Sequence, residues 1–204
     1  MTIYPERASP GEVHRILIGA VVPRPIAFVS TVSSEGIFNV APFSFFNAVC
    51  SDPPVLCVAI SRPSSRGPSG KKDTLANIEA TGEFVVNIVS EKFAAQMNQT
   101  AGDYPAGVDE FSLTGLTPVK SELVKPPRVG QSPINFECKL TQNILVSDRP
   151  NGSNLILGEA VCIHVDEELL EGNRVDPDRL RAIGRMGGIS YVRTGDRFEL
   201  IRPK

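Results

Sequence analysis

Residues 23–54, PRPIAFVSTVSSEGIFNVAPFSFFNAVCSDPP, constrain the fold more than any other stretch. Arg24 lies between Pro23 and Pro25, and the proline after it pushes its backbone extended. A strand is predicted from Ile26 to Val32, then a turn at Ser34, Glu35 and Gly36. A second extended run covers Ile37 to Val40 and leads into Ala41, Pro42, Phe43 and Ser44, and Asp52, Pro53 and Pro54 close the stretch. Ile26, Phe28 and Ser30 point one way from the first strand, and Ala27, Val29 and Thr31 the other. Both sets are mostly apolar, so neither face is expected to meet much water.

The rest of the chain repeats this grammar of short strands and short helices. Val55 to Ile60 is a continuous apolar run and reads as a central strand. A helix is predicted from Thr74 to Thr81, capped by Asp73 or Thr74 and stopped by Gly82. Glu83 to Val89 is a strand, and Ser90 caps a helix from Glu91 to Ala101. Residues 103–131 are rich in loops. Ile134, Phe136, Cys138 and Leu140 alternate inward against Asn135, Glu137, Lys139 and Thr141 outward. Asn154 to Val165 completes a hairpin with that strand. Asp176 and Pro177 open a short helix to Ile183, and Tyr191 to Arg193 is expected to pair with Phe198 to Arg202. No βαβ alternation repeats, so the reading is mainly β, an antiparallel barrel with helical additions. It is taken as one domain over residues 1–204, with an N-terminal arm at 1–15 and a helical turn or two from Glu12, ended by Gly19.

The 17 glycines and 17 prolines imply many turns. The 21 basic and 23 acidic side chains leave a formal charge of −2, with no basic face that would suit nucleic acid. No apolar run is long enough to span a membrane, and the first residues lack a signal region, so a cytoplasmic protein is expected. Cys50, Cys57, Cys138 and Cys162 have no metal-type spacing and read as buried free thiols. The two histidines, His14 and His164, belong to no hydrolytic or metal motif, and there is no GxGxxG fingerprint.

Three stretches could carry chemistry. Residues 61–74 hold four serines, two glycines, two prolines and four basic residues, and run into a helix N-terminus. Free N–H groups and the helix dipole make such a place an anion site, with Arg66, Lys71 and Lys72 adding charge and Thr74 and Asn77 adding hydrogen bonds. Physics alone leaves a solvated surface loop as an equal alternative. Pro42 among Phe43, Phe45 and Phe46 could line an aromatic ligand or simply turn a barrel corner. Gly187 and Gly188, with Arg185 and Tyr191, permit close approach of a flat ligand or form a plain turn.

In this order, PRPIAFVSTV, EGIFNVAPFSFF, DPPVL, KDTLANIEATGEFVVNI, NQTAGDYPAGVDEF, VKPPRV, INFECKL and RMGGISY make the chain similar to the flavin reductase-like family of FMN-binding split barrels, its longer, flavoredoxin-type members above all. The resemblance covers residues 16–202. It implies a six-stranded Greek-key split β-barrel and a homodimer with FMN near the subunit interface. Carried over, Ala41, Pro42, Phe43 and Ser44 would lie along the isoalloxazine. Ala59, Ile60 and Ser61 would support the ribityl chain. Lys72, Asp73 and Thr74 would meet the phosphate, with Asn77 close by, and Thr100 and Ala101 would approach from the far side. Arg24 is a candidate for phosphate or ring contact, and Arg185, Gly187, Gly188 and Tyr191 for a second substrate.

The activity so implied is hydride transfer from NADH or NADPH to flavin N5, which needs no acid or base side chain, so no catalytic residue is named. The alternative is a non-catalytic, flavoredoxin-like electron carrier for a redox protein partner. A split barrel holding haem or a pyridoxal compound is a third reading. The chain is longer than the compact reductases that serve monooxygenases, which leaves open whether FMN is held or released.

Overall fold

The computed structural model describes residues 1–63, 65, 71–105 and 107–203. In chain order the elements are helix α1 (Pro10–Ala20), strands β1 (Ala27–Val32), β2 (Phe38–Phe43), β3 (Phe46–Ser51) and β4 (Pro54–Ser61), helix α2 (Asp73–Thr81), and β5 (Glu83–Ile88). Then come α3 (Ala94–Gln99), α4 (Glu110–Thr114), the short β6 (Pro118–Val119) and β7 (Arg128–Val129), and the long hairpin β8 (Ile134–Leu145) and β9 (Ser153–Val165). The chain ends with β10 (Leu170–Glu171), β11 (Arg174–Val175), α5 (Pro177–Leu180), β12 (Ile183–Arg185) and β13 (Tyr191–Arg193).

Seven strands form one antiparallel sheet in the order β2-β1-β5-β8-β9-β4-β3. Its two edge strands follow one another in the chain, and Phe43 of one and Phe46 of the other pack into the same interior. The sheet is thus rolled into a split barrel. Ala27, Val29, Val58, Ile60, Phe84, Val86 and Ile156 fill that interior, and Leu75 and Ile78 of α2 pack into it. A second core lies outside β1 and β2, where Ile26, Phe28 and Val40 meet Phe93, Met97 and Phe111. All six residues of β1 are buried, as expected of a strand apolar on both faces.

The hairpin turns at Gly36, whose φ of 85° favours glycine, and Ser33 N–H donates to Ile37 at 2.9 Å. β2 runs further than expected, through Pro42. It can do so because an edge strand leaves one side of its backbone unpaired, and a missing N–H there breaks no ladder bond. Gly82 stops α2 in the left-handed conformation, with φ 70°.

Several expectations are corrected. β3, with five of its six residues exposed, adds a seventh strand that carries no apolar run to announce it. Ser9 caps an eleven-residue α1 that starts at Pro10, includes Gly19 and buries no residue. The predicted helix from Glu91 is a 3-10 turn (Glu91–Phe93) followed by α3, and Ser90 gives no side-chain cap. Its hydroxyl is buried and has no hydrogen-bond partner among the described residues. Asn135 and Glu137, expected to face outward, are buried because residues 121–129 pack over them. Tyr191–Arg193 pairs with Ile183–Arg185, and residues 196–203 carry no strand. The cysteines are free, but only Cys138 is fully buried, where loss of hydration pushes its thiol up to about 12. Among the described residues no helix is long and apolar enough to cross a membrane.

Candidate functional site

Two cavities adjoin beside edge strand β2. The larger, about 220 Å³, is lined by Asn39, Ala41 and Pro42 of β2, Lys72, Asp73 and Thr74 at the start of α2, Thr100 and Ala101 after α3, and Glu110 of α4. The smaller, about 160 Å³, is lined by Ile26, Pro42, Phe43, Ser44, Met97, Asn98, Ala101, Arg185 and Tyr191. Pro42 and Ala101 belong to both.

Among the described residues the larger cavity carries one cation, Lys72, beside the acidic Asp73, Asp103 and Glu110. Lys72 is the N-cap of α2 and supplies no side-chain cap bond, so the dipole's positive end opens there. Lys72 Nζ stands 5.5 Å from the Phe43 ring centroid. Of the other cations expected here, Lys71 pairs with Glu79 at 2.6 Å, and Arg66 lies outside the described residues.

A buried polar network forms its floor. Thr74 Oγ1 donates to Asn39 Oδ1 at 2.8 Å, and Thr31 Oγ1 donates to the same oxygen at 3.2 Å. Asn77 Nδ2 donates to Thr31 Oγ1 at 3.0 Å. Asn39 Nδ2 donates to both Glu110 oxygens at 3.0 Å, and Val40 N–H donates to Oε2 at 3.1 Å. Burial raises the Glu110 carboxyl above its ordinary range, and Asp73 adds to the rise, against the opposing hydrogen bonds from Val40 and Asn39. Thr74 and Asn77 therefore serve the framework: Thr74 is 1% exposed and its hydroxyl is already committed to Asn39. Thr100 likewise donates its hydroxyl to Met97 at 2.8 Å.

The smaller cavity is apolar with a polar gate. Tyr191 donates to Asn98 Oδ1 at 3.0 Å, and the Arg185 guanidinium stacks 4.5 Å from the Tyr191 ring centroid. Arg185 also donates to the Gly188 carbonyl at 2.6 Å. Gly188 has φ +60°, and a Cβ there would meet nothing within 4 Å. The gate is anchored from below by a backbone pair between Arg24 and Arg185, at 3.0 and 2.8 Å.

Arg24 lines neither cavity. Its side chain is 5% exposed and donates to the carbonyls of Ile18 and Val21, both at 2.7 Å, to Met186 at 3.0 Å and to Ser44 Oγ at 3.3 Å. It ties α1 and the 185–191 segment to the Ser44 turn. Ala59, Ile60, Ser61, Asn77, Gly187 and Gly188 are also absent from both linings. Ile60 is fully buried in the barrel core. The structure thus gathers Ala41 to Ser44, Lys72 to Thr74, Thr100, Ala101, Arg185 and Tyr191. It adds Asn39, Asn98 and Glu110, which sequence reasoning does not single out. No local pattern marks Glu110, the first residue of a five-residue helix.

Residues 16–181 match the model of the flavin reductase like domain. The chain is similar to nitrilotriacetate monooxygenase component B from Bacillus cereus, with 36% identity, a TM-score of 0.93 and 98% of each chain covered. It is similar to the 2-nitrobenzoate 2-nitroreductase of Pseudomonas fluorescens, with 34% identity and a TM-score of 0.88 over 100% of this chain and 96% of that one. A flavoredoxin of Desulfovibrio vulgaris shares the fold at 24% identity, with a TM-score of 0.74 over 88% and 91% of the two chains. With its split barrel and its double cavity beside β2, the chain belongs to the flavin reductase-like family.

Proposed function

We propose that this chain is a cytoplasmic, FMN-binding NAD(P)H:flavin oxidoreductase that works as a homodimer. The observation that carries the reading is the junction of the two cavities at Pro42 and Ala101. One end offers a cation and a helix N-terminus, and the other an apolar slot. A flat ring with a phosphate tail has the same polarity, so the donor set fits FMN.

Lys72 and the opening turn of α2 would hold the phosphate, and Ala41 to Ser44 would hold the ring. Phe43, Met97 and Ile26 exclude water from its neighbourhood. Arg185 and Tyr191 flank the position a nicotinamide would take. Bound flavin supplies N5 as the acceptor of hydride from the reduced nicotinamide, so this chain contributes placement and electrostatics. Phe45, Val49, Ile144, Leu145 and Ile163 are exposed apolar side chains available for contact with a second copy. The likeness to a monooxygenase B component supports an oxygenase as the partner that takes up reduced flavin.

The test is an absorbance spectrum of the purified protein, then anaerobic addition of NADH and of NADPH. A yellow protein bleached by either nucleotide is expected. Bleaching by dithionite alone would favour the electron-carrier reading. A colourless protein that cannot be loaded with FMN would overturn both.

A further inference from the structure

Glu137, Cys162 and His164 converge on the β8–β9 pair, and none of them lines either cavity. Cys162 and His164 stand two apart on β9, so both point to one side of the strand. Glu137 lies on β8 directly opposite Cys162. His164 Nε2 is 2.7 Å from Glu137 Oε1 and 3.4 Å from Cys162 Sγ, and the three atoms all lie within 4.8 Å of one another. Among the described residues this is the one such convergence. The cysteine spacing could not show it, because the third group comes from another strand.

The arrangement is wrong for a nucleophile. One nitrogen, Nε2, faces both carboxylate and thiol, so it cannot donate to Glu137 and accept the thiol's proton at once. A sulfur, an imidazole nitrogen and a carboxylate oxygen that converge within 4.8 Å of one another are instead a ligand set.

We propose that Glu137, Cys162 and His164 form a three-ligand site for a divalent metal ion, with zinc the best match to the mixed sulfur, nitrogen and oxygen donors. On binding, the thiol releases its proton to solvent, and the imidazole carries its own proton on Nδ1 and presents a bare Nε2. Ligand atoms around a tetrahedral zinc stand about 3.3–3.8 Å apart. The sulfur–nitrogen separation already meets that, and the oxygen–nitrogen one needs to open by roughly half an ångström. Glu137 is held in a fixed orientation. It is fully buried, and its oxygens accept the N–H groups of Glu122 at 2.8 Å and Leu123 at 2.7 Å. The His164 side chain is 22% exposed, which gives an entry path and room for a water as fourth ligand. The ion would join β8, β9 and the segment between β6 and β7.

The experiment uses the tag-free full chain with whatever flavin it holds. The protein is incubated with Zn²⁺ or Co²⁺, passed through gel filtration and assayed for metal. Co²⁺ is also read by its visible bands at wavelengths beyond the flavin's own. One ion per chain is expected, with affinity at least about tenfold weaker in Cys162→Ser and His164→Gln. Zn²⁺ should also protect Cys162 of the wild-type chain from iodoacetamide while the exposed Cys50 still reacts, a readout that needs no variant to fold. Failure to retain a stoichiometric ion, equal retention by both variants, or unprotected Cys162 would each overturn the site.

Discussion

Both carboxylate oxygens of Glu110 lie 3.0 Å from Asn39 Nδ2, and one of them also takes the N–H of Val40. A five-residue helix thereby clamps two consecutive residues of the edge strand that lines both cavities. The clamp should titrate. The folded chain holds the Glu110 proton more tightly than the unfolded chain does, because burial raises its pKa. Its contribution to stability is therefore present at low pH and lost as pH rises from the ordinary carboxylate value through the raised one. In urea titrations across that window, the stability difference between wild type and Glu110→Gln should shrink with rising pH. A difference that is constant or grows would contradict the assignment.

Gly158 of β9 makes room for Phe84 of β5. A Cβ at residue 158 would stand 2.3 Å from Phe84 Cζ and 3.3 Å from Cys138 Cβ. Phe84 is 1% exposed and locked in the barrel core, so it cannot swing away. Gly158→Ala should cost about 3 kcal/mol, the upper end for overpacking. Adding Phe84→Leu should recover part of that loss, and chemical denaturation of the double-mutant cycle measures the coupling. A single variant as stable as wild type would refute the contact.

How much of this can be read in the sequence depends on where each residue's partners come from. The β1–β2 hairpin is legible because Gly36 and the flanking prolines act locally. The stop of α2 at Gly82 and the β8–β9 hairpin are legible for the same reason. Alternation along β8 puts Glu137 toward solvent, and it fails there because residues 121–129, which cover Glu137, have no period of their own. Of the site, Lys72 and the Ala41 to Ser44 segment come from a loop feeding a helix and from family likeness. Asn39 and Glu110 escape because a buried polar network is assembled from four separate elements.

Arg24 shows the same limit and yields its own prediction. Family likeness makes it a candidate for a phosphate or ring contact, yet its donors go to the carbonyls of Ile18, Val21 and Met186. Lysine keeps the charge but cannot span three carbonyls with one nitrogen. Arg24→Lys should cost about 2–4 kcal/mol and loosen α1, since buried acceptors lose charged donors. Limited trypsin digestion should then cut at Arg15 faster than in wild type. Unchanged cleavage and unchanged stability would remove this role.

Thr74 separates framework from ligand. Its hydroxyl donates to Asn39 Oδ1 at 2.8 Å, beneath the proposed phosphate position. Thr74→Val keeps the shape and removes the donor, leaving that oxygen only the longer bond from Thr31 at 3.2 Å. A stability loss of about 1 kcal/mol is expected for one neutral hydrogen bond. FMN affinity should also fall, by about tenfold or 1.4 kcal/mol, because Asn39 and the start of α2 are no longer held in register. Thr74→Ser retains the donor and should bind nearly as wild type, which isolates the hydroxyl from the methyl group. Fluorescence quenching of FMN on titration with each variant reads the affinity. If the folded valine variant binds FMN as tightly as wild type, the network is structural only and the phosphate position must lie elsewhere.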